Sequence, residues 1–273
     1  MQNLFTRTIT GIVFIACIIG SLLWHPFVFS IVIFILMIIA LKEFYHLSHL
    51  HNIHPDRYSG YTVSSVIFIL SVLNALGFVS PWALAALVPL VFIFFVAEMF
   101  RDRENAILNL AFSIFPVAYV SIPFSMLIYL LSPTVTGENP YWHIPLAFFI
   151  ILWSHDTFAY LTGILLGKNK LMEKVSPKKT WEGTIGGTFF GMAAAYIISL
   201  FFNDLLVWQW IVAAVIISVT GTLGDLSESL LKRSFHVKDS GTALPGHGGV
   251  LDRFDAVLFS APSLFCYLLL LQL

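Results

Sequence analysis

The carboxylates Asp225, Glu228, Asp252 and Asp255 and the cations Lys232, Arg233, Lys238 and Arg253 crowd into the stretch Thr220–Asp255, TGTLGDLSESLLKRSFHVKDSGTALPGHGGVLDRFD. Asp225 and Glu228 are three residues apart, as are Asp252 and Asp255, so on helices each pair shares a face. Two helices presenting such pairs could build one oxygen-rich cation site, and oxygen ligands suit Mg²⁺. Gly221 and Gly224 would let another backbone or a phosphate approach Asp225 closely. The turn LPGHGG, with His247, Gly248 and Gly249, offers backbone N–H groups that could cradle phosphate. The competing reading is that the carboxylates merely neutralise Lys232, Arg233 and Arg253. Against it, Asp225 is set back inside an apolar run, where charge balance would not need it.

Two further places carry charge against an apolar background. In WSHDTFAY, Asp156 lies inside a long apolar run, where a charge is costly and defaults to a functional candidate. His155 and Asp156 are consecutive and point about 100° apart on a helix. Asp156 reads as a cation ligand or a group holding one, or else as a buried helix–helix hydrogen bond. In SPKKTWEG, Lys178 and Lys179 precede a helix start, and lysines beside free helical N–H groups make an anion site. The alternative there is a simple topology signal. Gly183, Gly187, Gly191 and Ala195 recur every four residues and predict a close helix–helix seam rather than a nucleotide loop.

The elements that must position these residues are membrane helices. Of 273 residues, 58% are hydrophobic and 11% charged, with mean hydropathy +0.89, against about 25% charged in soluble domains. A net charge of −1 gives no global field for nucleic acid. A spanning helix needs about 20 apolar residues. That ruler predicts an all-α polytopic protein with nine spans near 8–24, 27–42, 60–78, 82–100, 106–131, 143–166, 183–203, 207–231 and 250–271. The first apolar run has no small-residue cleavage site after it and reads as a retained span rather than a leader.

With the N-terminus cytoplasmic and the C-terminus outside, all 14 Lys and Arg fall in cytoplasmic segments, and the outer loops keep only Glu138 and Asp204 as acids. The charged chemistry is therefore expected on the cytoplasmic side. The chain divides by this reading into 1–131, spans one to five, and 132–273, spans six to nine with the reactive loops. Cys17 and Cys266 sit in apolar runs and suggest neither disulfide nor metal site. His46, His49, His51 and His54 read as a solvated loop, because nothing completes a ligand set. Glu98 and Arg101 are spaced as a helix-end ion pair.

From Ser229 to Asp255, SLLKRSFHVKDSGTALPGHGGVLDRFD resembles the signature of the phosphatidate cytidylyltransferases, the CDP-diacylglycerol synthases, without departure. SPKKTWEG and the Asp156 region also look like segments of that family. The resemblance covers about the last 120 residues well; the first half matches only as a run of membrane helices. It implies transfer of a cytidylyl group from CTP to phosphatidic acid, releasing pyrophosphate, by a homodimer in the bacterial inner membrane. Mg²⁺ is implied, with K⁺ as a second cation. Carried over by position, Asp225 and Asp252 become the central metal-binding carboxylates, with Asp156 a further one. Lys178, Lys179, Lys232, Arg233, Lys238 and Arg253 become phosphate-binding candidates, and Ser229, His247, Gly248 and Gly249 further substrate contacts. A CTP-dependent lipid kinase would use a related site but attack the γ-phosphorus. A cation-coupled transporter would show matched broken helices in two halves, a pattern the hydropathy lacks.

Overall fold

The computed structural model describes residues 2–49, 53–101, 104–137, 139–243, 246 and 248–272, without the side chains of 2–7 and 49. His51, Arg103, Glu138 and His247 fall outside the described residues. Apart from one two-stranded hairpin, the described elements are helical. In order they are α1 (Gln2–Trp24), α2 (Pro26–His49), α3 (Arg57–Ala75), a 3₁₀ segment (Pro81–Leu90), α4 (Val91–Met99), α5 (Ala106–Pro116), a π turn (Val117–Ser121), α6 (Ile122–Tyr129), the short α7 (Pro133–Thr136) and α8 (His143–Leu166). Then come β1 (Lys170–Met172), β2 (Ser176–Thr180), α9 (Trp181–Ser199), α10 (Val207–Ser234) and α11 (Leu251–Leu270).

Among the described residues, seven helical stretches are long and apolar enough to cross a membrane: Pro26–Ser48, Arg57–Ala75, Pro81–Met99, Ala106–Tyr129, His143–Leu166, Val207–Ser234 and Leu251–Leu270. Each overlaps an expected span. The expected first span is the shorter apolar helix Thr8–Trp24. The expected seventh is α9, whose glycines, threonines and Glu182 dilute an otherwise apolar 19-residue helix.

Prolines explain two irregular spans. Pro81 opens the fourth span and Pro89 lies within its 3₁₀ half, since proline removes an N–H and crowds the preceding turn. Pro116 and Pro123 bracket the π turn in the fifth. The largest boundary shift is at α2. The sequence suggests a break at Lys42, but the helix continues to His49 and carries Glu43 with it, buried.

By packing, the chain forms two compact units, one of Met1–Ser132 with Phe235–Phe254, the other of Pro133–Ser234 with Asp255–Leu273. The stretch 235–254, which follows the later spans in sequence, thus packs with the first unit. The first unit is centred on α2 and α3, with Phe29, Phe44, Tyr45, Phe68 and Phe124 buried. Polar ties lock its helices together. Tyr45 donates to the Ser113 carbonyl at 3.0 Å, and Ser121 to Ser64 at 2.6 Å. Arg101 meets Glu98 at 3.2 Å, as its spacing predicts.

The second unit is built on α8, α9 and α10. Its seam is the predicted one: Gly183, Gly187, Gly191 and Ala195 are all buried on α9. A Cβ at Gly183 or Gly187 would collide with the α8 backbone carbonyls of Ala159 or His155. Small residues at this spacing let backbones touch, and dispersion then replaces the hydrophobic drive that lipid cannot supply.

Candidate functional site

In the second unit, the hairpin and α9 create the cationic side of the site. β1 pairs antiparallel with β2, Lys170 opposite Thr180 and Met172 opposite Ser176. Thr180 then caps α9, its hydroxyl accepting the Gly183 N–H at 3.2 Å, so the lysines do precede a helix N-terminus. Glu182 braces the hairpin by accepting the Lys168 N–H at 3.1 Å and the Asn169 side-chain amide at 2.6 Å. Its own backbone N–H, with those of Lys168 and Asn169, holds the Glu182 carboxyl well below the ordinary range, at about 2.

Because SPKKT is a strand, successive side chains point to opposite faces. Lys179 is turned toward α10, its Nζ 2.6 Å from Asp225 Oδ2, while Lys178 is exposed. The two lysines therefore do not act as one pair.

Asp225 also accepts from Ser229 at 3.3 Å, one turn later on α10. Asp156, exposed on α8, and Asp255, on α11, both feel the Asp225 carboxylate as a repulsive neighbour and Lys179 as an attractive one. Three carboxylates thus share one ammonium. His155 turns away from this group into the helix seam, as the angle between consecutive residues requires, and is buried. Its Nε2 lies 3.1 Å from Thr222 Oγ. Thr222 gives its own proton to the Ser218 carbonyl at 2.9 Å, so Nε2 is assigned as the donor to Thr222. Gly224 serves a backbone approach: a Cβ there would overlap the Asp255 carbonyl.

Glu228, the other half of the α10 pair, is buried beneath Lys232, 2.5 Å away. The contact neutralises the buried Glu228 carboxylate. Arg233, Lys238 and Arg253 are exposed.

Asp252 belongs to the first unit. Its Oδ2 accepts from the Ser240 N–H at 3.0 Å, the Ser240 hydroxyl at 2.9 Å and the Gly249 N–H at 2.8 Å. Gly248 has φ +82°, and a Cβ there would press on the same oxygen. The Gly-rich turn therefore spends the Gly249 N–H on an internal carboxylate. Beside it Glu43 accepts from Val250 N–H at 3.0 Å and Leu251 N–H at 2.9 Å.

Sequence spacing singled out Asp255 but left it outside the assigned ligand set, and it missed Glu43. The signal for Glu43 was a carboxylate in LKEFYHL, flanked on both sides by apolar residues that continue the helix. Among the described residues no three potential ligands close on a single point. The donor chemistry of Asp156, Asp225 and Asp255 nevertheless fits a hard divalent cation: all ligands are oxygens, and one lysine leaves them in negative excess.

The architecture and site are those of a polytopic helical membrane protein whose helices α8, α10 and α11 carry carboxylates, with Lys179 of the hairpin paired to Asp225. Residues 5–271 match the cytidylyltransferase family. The chain is 37% identical over 264 residues to the phosphatidate cytidylyltransferase of Staphylococcus aureus, covering 94% of this chain and 96% of that one. It is 33% identical over 259 residues to that of Staphylococcus saprophyticus, with the same coverage of each chain, 94% and 96%. It is 41% identical over 188 residues to that of Staphylococcus haemolyticus, 68% of this chain and 69% of the relative. The chain belongs to the cytidylyltransferase family.

Proposed function

We propose that this protein transfers the cytidylyl group of CTP to phosphatidic acid, forming CDP-diacylglycerol and pyrophosphate for phospholipid synthesis. The observation that carries this reading is the Asp156, Asp225 and Asp255 group with Lys179 on the end strand of the hairpin, in a chain of this family. A phosphate oxygen of phosphatidic acid attacks the α-phosphorus of CTP. The bond from that phosphorus to the α–β bridging oxygen breaks, and pyrophosphate leaves with the electron pair. The nucleophile is already ionised at neutral pH, so no strong general base is needed. The barrier is the approach of two polyanions, and the chain's task is to neutralise and orient them.

Lys179 can exchange its Asp225 contact for a phosphate oxygen. Lys178, Lys238, Arg233 and Arg253 supply further exposed positive charge for phosphates, and Lys232 does so from its pairing with Glu228. Ser229 steadies Asp225, and His247, Gly248 and Gly249 are further substrate contacts. Mg²⁺ would be held by Asp225 and Asp156, with Asp255 beside them, and Asp252 is a further cation ligand, with K⁺ as a second cation. When bound, the dication supplies charge stabilisation on the reacting phosphates.

The reading includes nine spans, a cytoplasmic N-terminus, an outside C-terminus and a site on the cytoplasmic face of the bacterial inner membrane. CTP then arrives from water and the lipid headgroup arrives laterally. Residues 1–131 act as scaffold, lipid access or homodimer contact, and 132–273 carry the reactive loops. The test is purified protein given α-labelled CTP and phosphatidic acid under Mg²⁺ titration. The expected result is label in a CDP-lipid with stoichiometric pyrophosphate. Release of CDP with a γ-phosphorylated lipid would instead mean a kinase, and cation uptake into proteoliposomes without CTP a transporter.

A further inference from the structure

We propose that Glu43 is a positioning residue for Asp252, holding the loop that orients the Asp252 carboxylate. The kinetic part rests on the cytidylyl transfer proposed above; the structural part does not.

A buried carboxylate must find compensation, and Glu43, 7% exposed, finds it in N–H groups. The Val250 and Leu251 amides open α11 and have no acceptor within their own helix. Each reaches a different Glu43 oxygen, Val250 to Oε1 at 3.0 Å and Leu251 to Oε2 at 2.9 Å. The positive end of the α11 dipole adds to the attraction. A helix cap could stop there, but this one does not. Gly241 and Gly249 lie so close to Glu43 that a Cβ on either would overlap its carboxylate. Gly249 is shared, because its N–H is one of the three donors on Asp252 Oδ2. Ser240 is shared as well: its hydroxyl lies 2.9 Å from Asp252 Oδ2 and 3.5 Å from Glu43 Oε2. It has one proton, and the shorter distance assigns it to Asp252. The loop thus rests on Glu43 through Gly241 and Gly249 while its donors converge on Asp252. Moving one carboxylate moves the donors of the other.

The test compares Glu43→Gln and Ser240→Ala with the wild-type full-length protein. Glutamine turns an NH₂ group toward one of the two helix amides and breaks that bond. Ser240→Ala leaves both helix amides on Glu43 and removes the hydroxyl between the two carboxylates, one of the three donors on Asp252 Oδ2. Residues that orient metal-site carboxylates typically cost about 10–100-fold when changed. We expect a kcat loss of that order in both variants, with KM for CTP changing far less. Hydrogen exchange should accelerate at 239–241 as well as at 250–251 in Glu43→Gln, and at 239–241 alone in Ser240→Ala. Faster exchange confined to 250–251 with wild-type kcat in Glu43→Gln would reduce Glu43 to a helix cap and overturn the proposal. Should Glu43→Gln fail to fold, wild-type kcat in Ser240→Ala overturns it equally. If the wild-type protein forms no CDP-lipid, the functional reading fails while the exchange data still decide: coupled segments support Glu43 as the loop's anchor, and uncoupled segments refute it.

Discussion

Asp225 and Asp252 sit in carboxylate groups of opposite make-up. Asp225 shares with Asp156 and Asp255 a single ammonium, Lys179. Asp252 and its neighbour Glu43 face N–H and O–H donors, three on Asp252 Oδ2 and two backbone amides on Glu43. Hydrogen-bond donors fix a carboxylate's direction and satisfy its lone pairs. Negative excess leaves a standing demand for positive charge. The difference separates a carboxylate whose direction is fixed by donors from a group left in negative excess, although both Asp residues lie in the stretch Thr220–Asp255.

Asp225→Ala removes the centre of the negative group and is expected to lower kcat by at least about 10²-fold, the order seen when one preorganised electrostatic partner is removed. Membrane insertion and thermal midpoint should stay near wild type, and normal label transfer from CTP would end the assignment.

Lys179→Met removes the ammonium paired with Asp225. Without the ammonium the carboxylates repel one another unrelieved, so Mn²⁺ should bind more tightly by paramagnetic titration. Transfer should fall by about tenfold or more, because a phosphate partner is lost. Lys178→Met, on the opposite face of β2, should lose less than Lys179→Met, since an exposed, screened charge contributes less to phosphate binding. Equal losses in the two lysine variants would contradict the strand geometry.

Gly224→Val tests whether the negative group depends on close helix approach. Its side chain would meet the Asp255 carbonyl, and overpacking of this kind costs about 1–3 kcal/mol. A lowered midpoint in thermal unfolding of the detergent-solubilised protein is expected, and an unchanged one would show that α11 can shift freely.

The smallest effect belongs to Glu182. Its pKa is lower folded than unfolded, so its stabilisation of the hairpin is complete above the ordinary value of 4.5 and fades as pH falls toward about 2. Fluorescence of Trp181 should therefore titrate in acid in the wild type and not in Glu182→Gln, the two proteins differing at pH 7 and converging as the wild-type carboxylate is protonated.

Much of this was legible in the residue order. Apolar run lengths located the helices, because a bilayer sets one length for every crossing. His143–Leu166 matches its predicted span at both ends. The glycine period on α9 announced the seam, and Asp156 and Asp225 announced themselves by standing charged in apolar surroundings. Local spacing also separated His155 from Asp156, since consecutive helical residues diverge whatever surrounds them.

Other features depended on distant partners. Lys178 and Lys179 look equivalent in sequence and part only because their segment is a strand paired with Lys170–Met172. Glu228 and Asp225 share a helical face, yet Glu228 is spent on Lys232.

The stretch Thr220–Asp255 shows the division most clearly. Sequence alone determined that it carries charge, that its acids are spaced for helices and that a Gly-rich turn joins them, since these follow from composition and helical period. Only the tertiary structure decided which carboxylates are met by hydrogen-bond donors and which are left in excess. That depends on donors brought from far along the chain, Glu43 supporting Ser240, Gly249 and the start of α11 in one unit, and Lys179 and Asp156 meeting Asp225 and Asp255 in the other. Hydrogen bonds and Coulomb forces act over a few ångströms of space, and sequence separation carries no record of them.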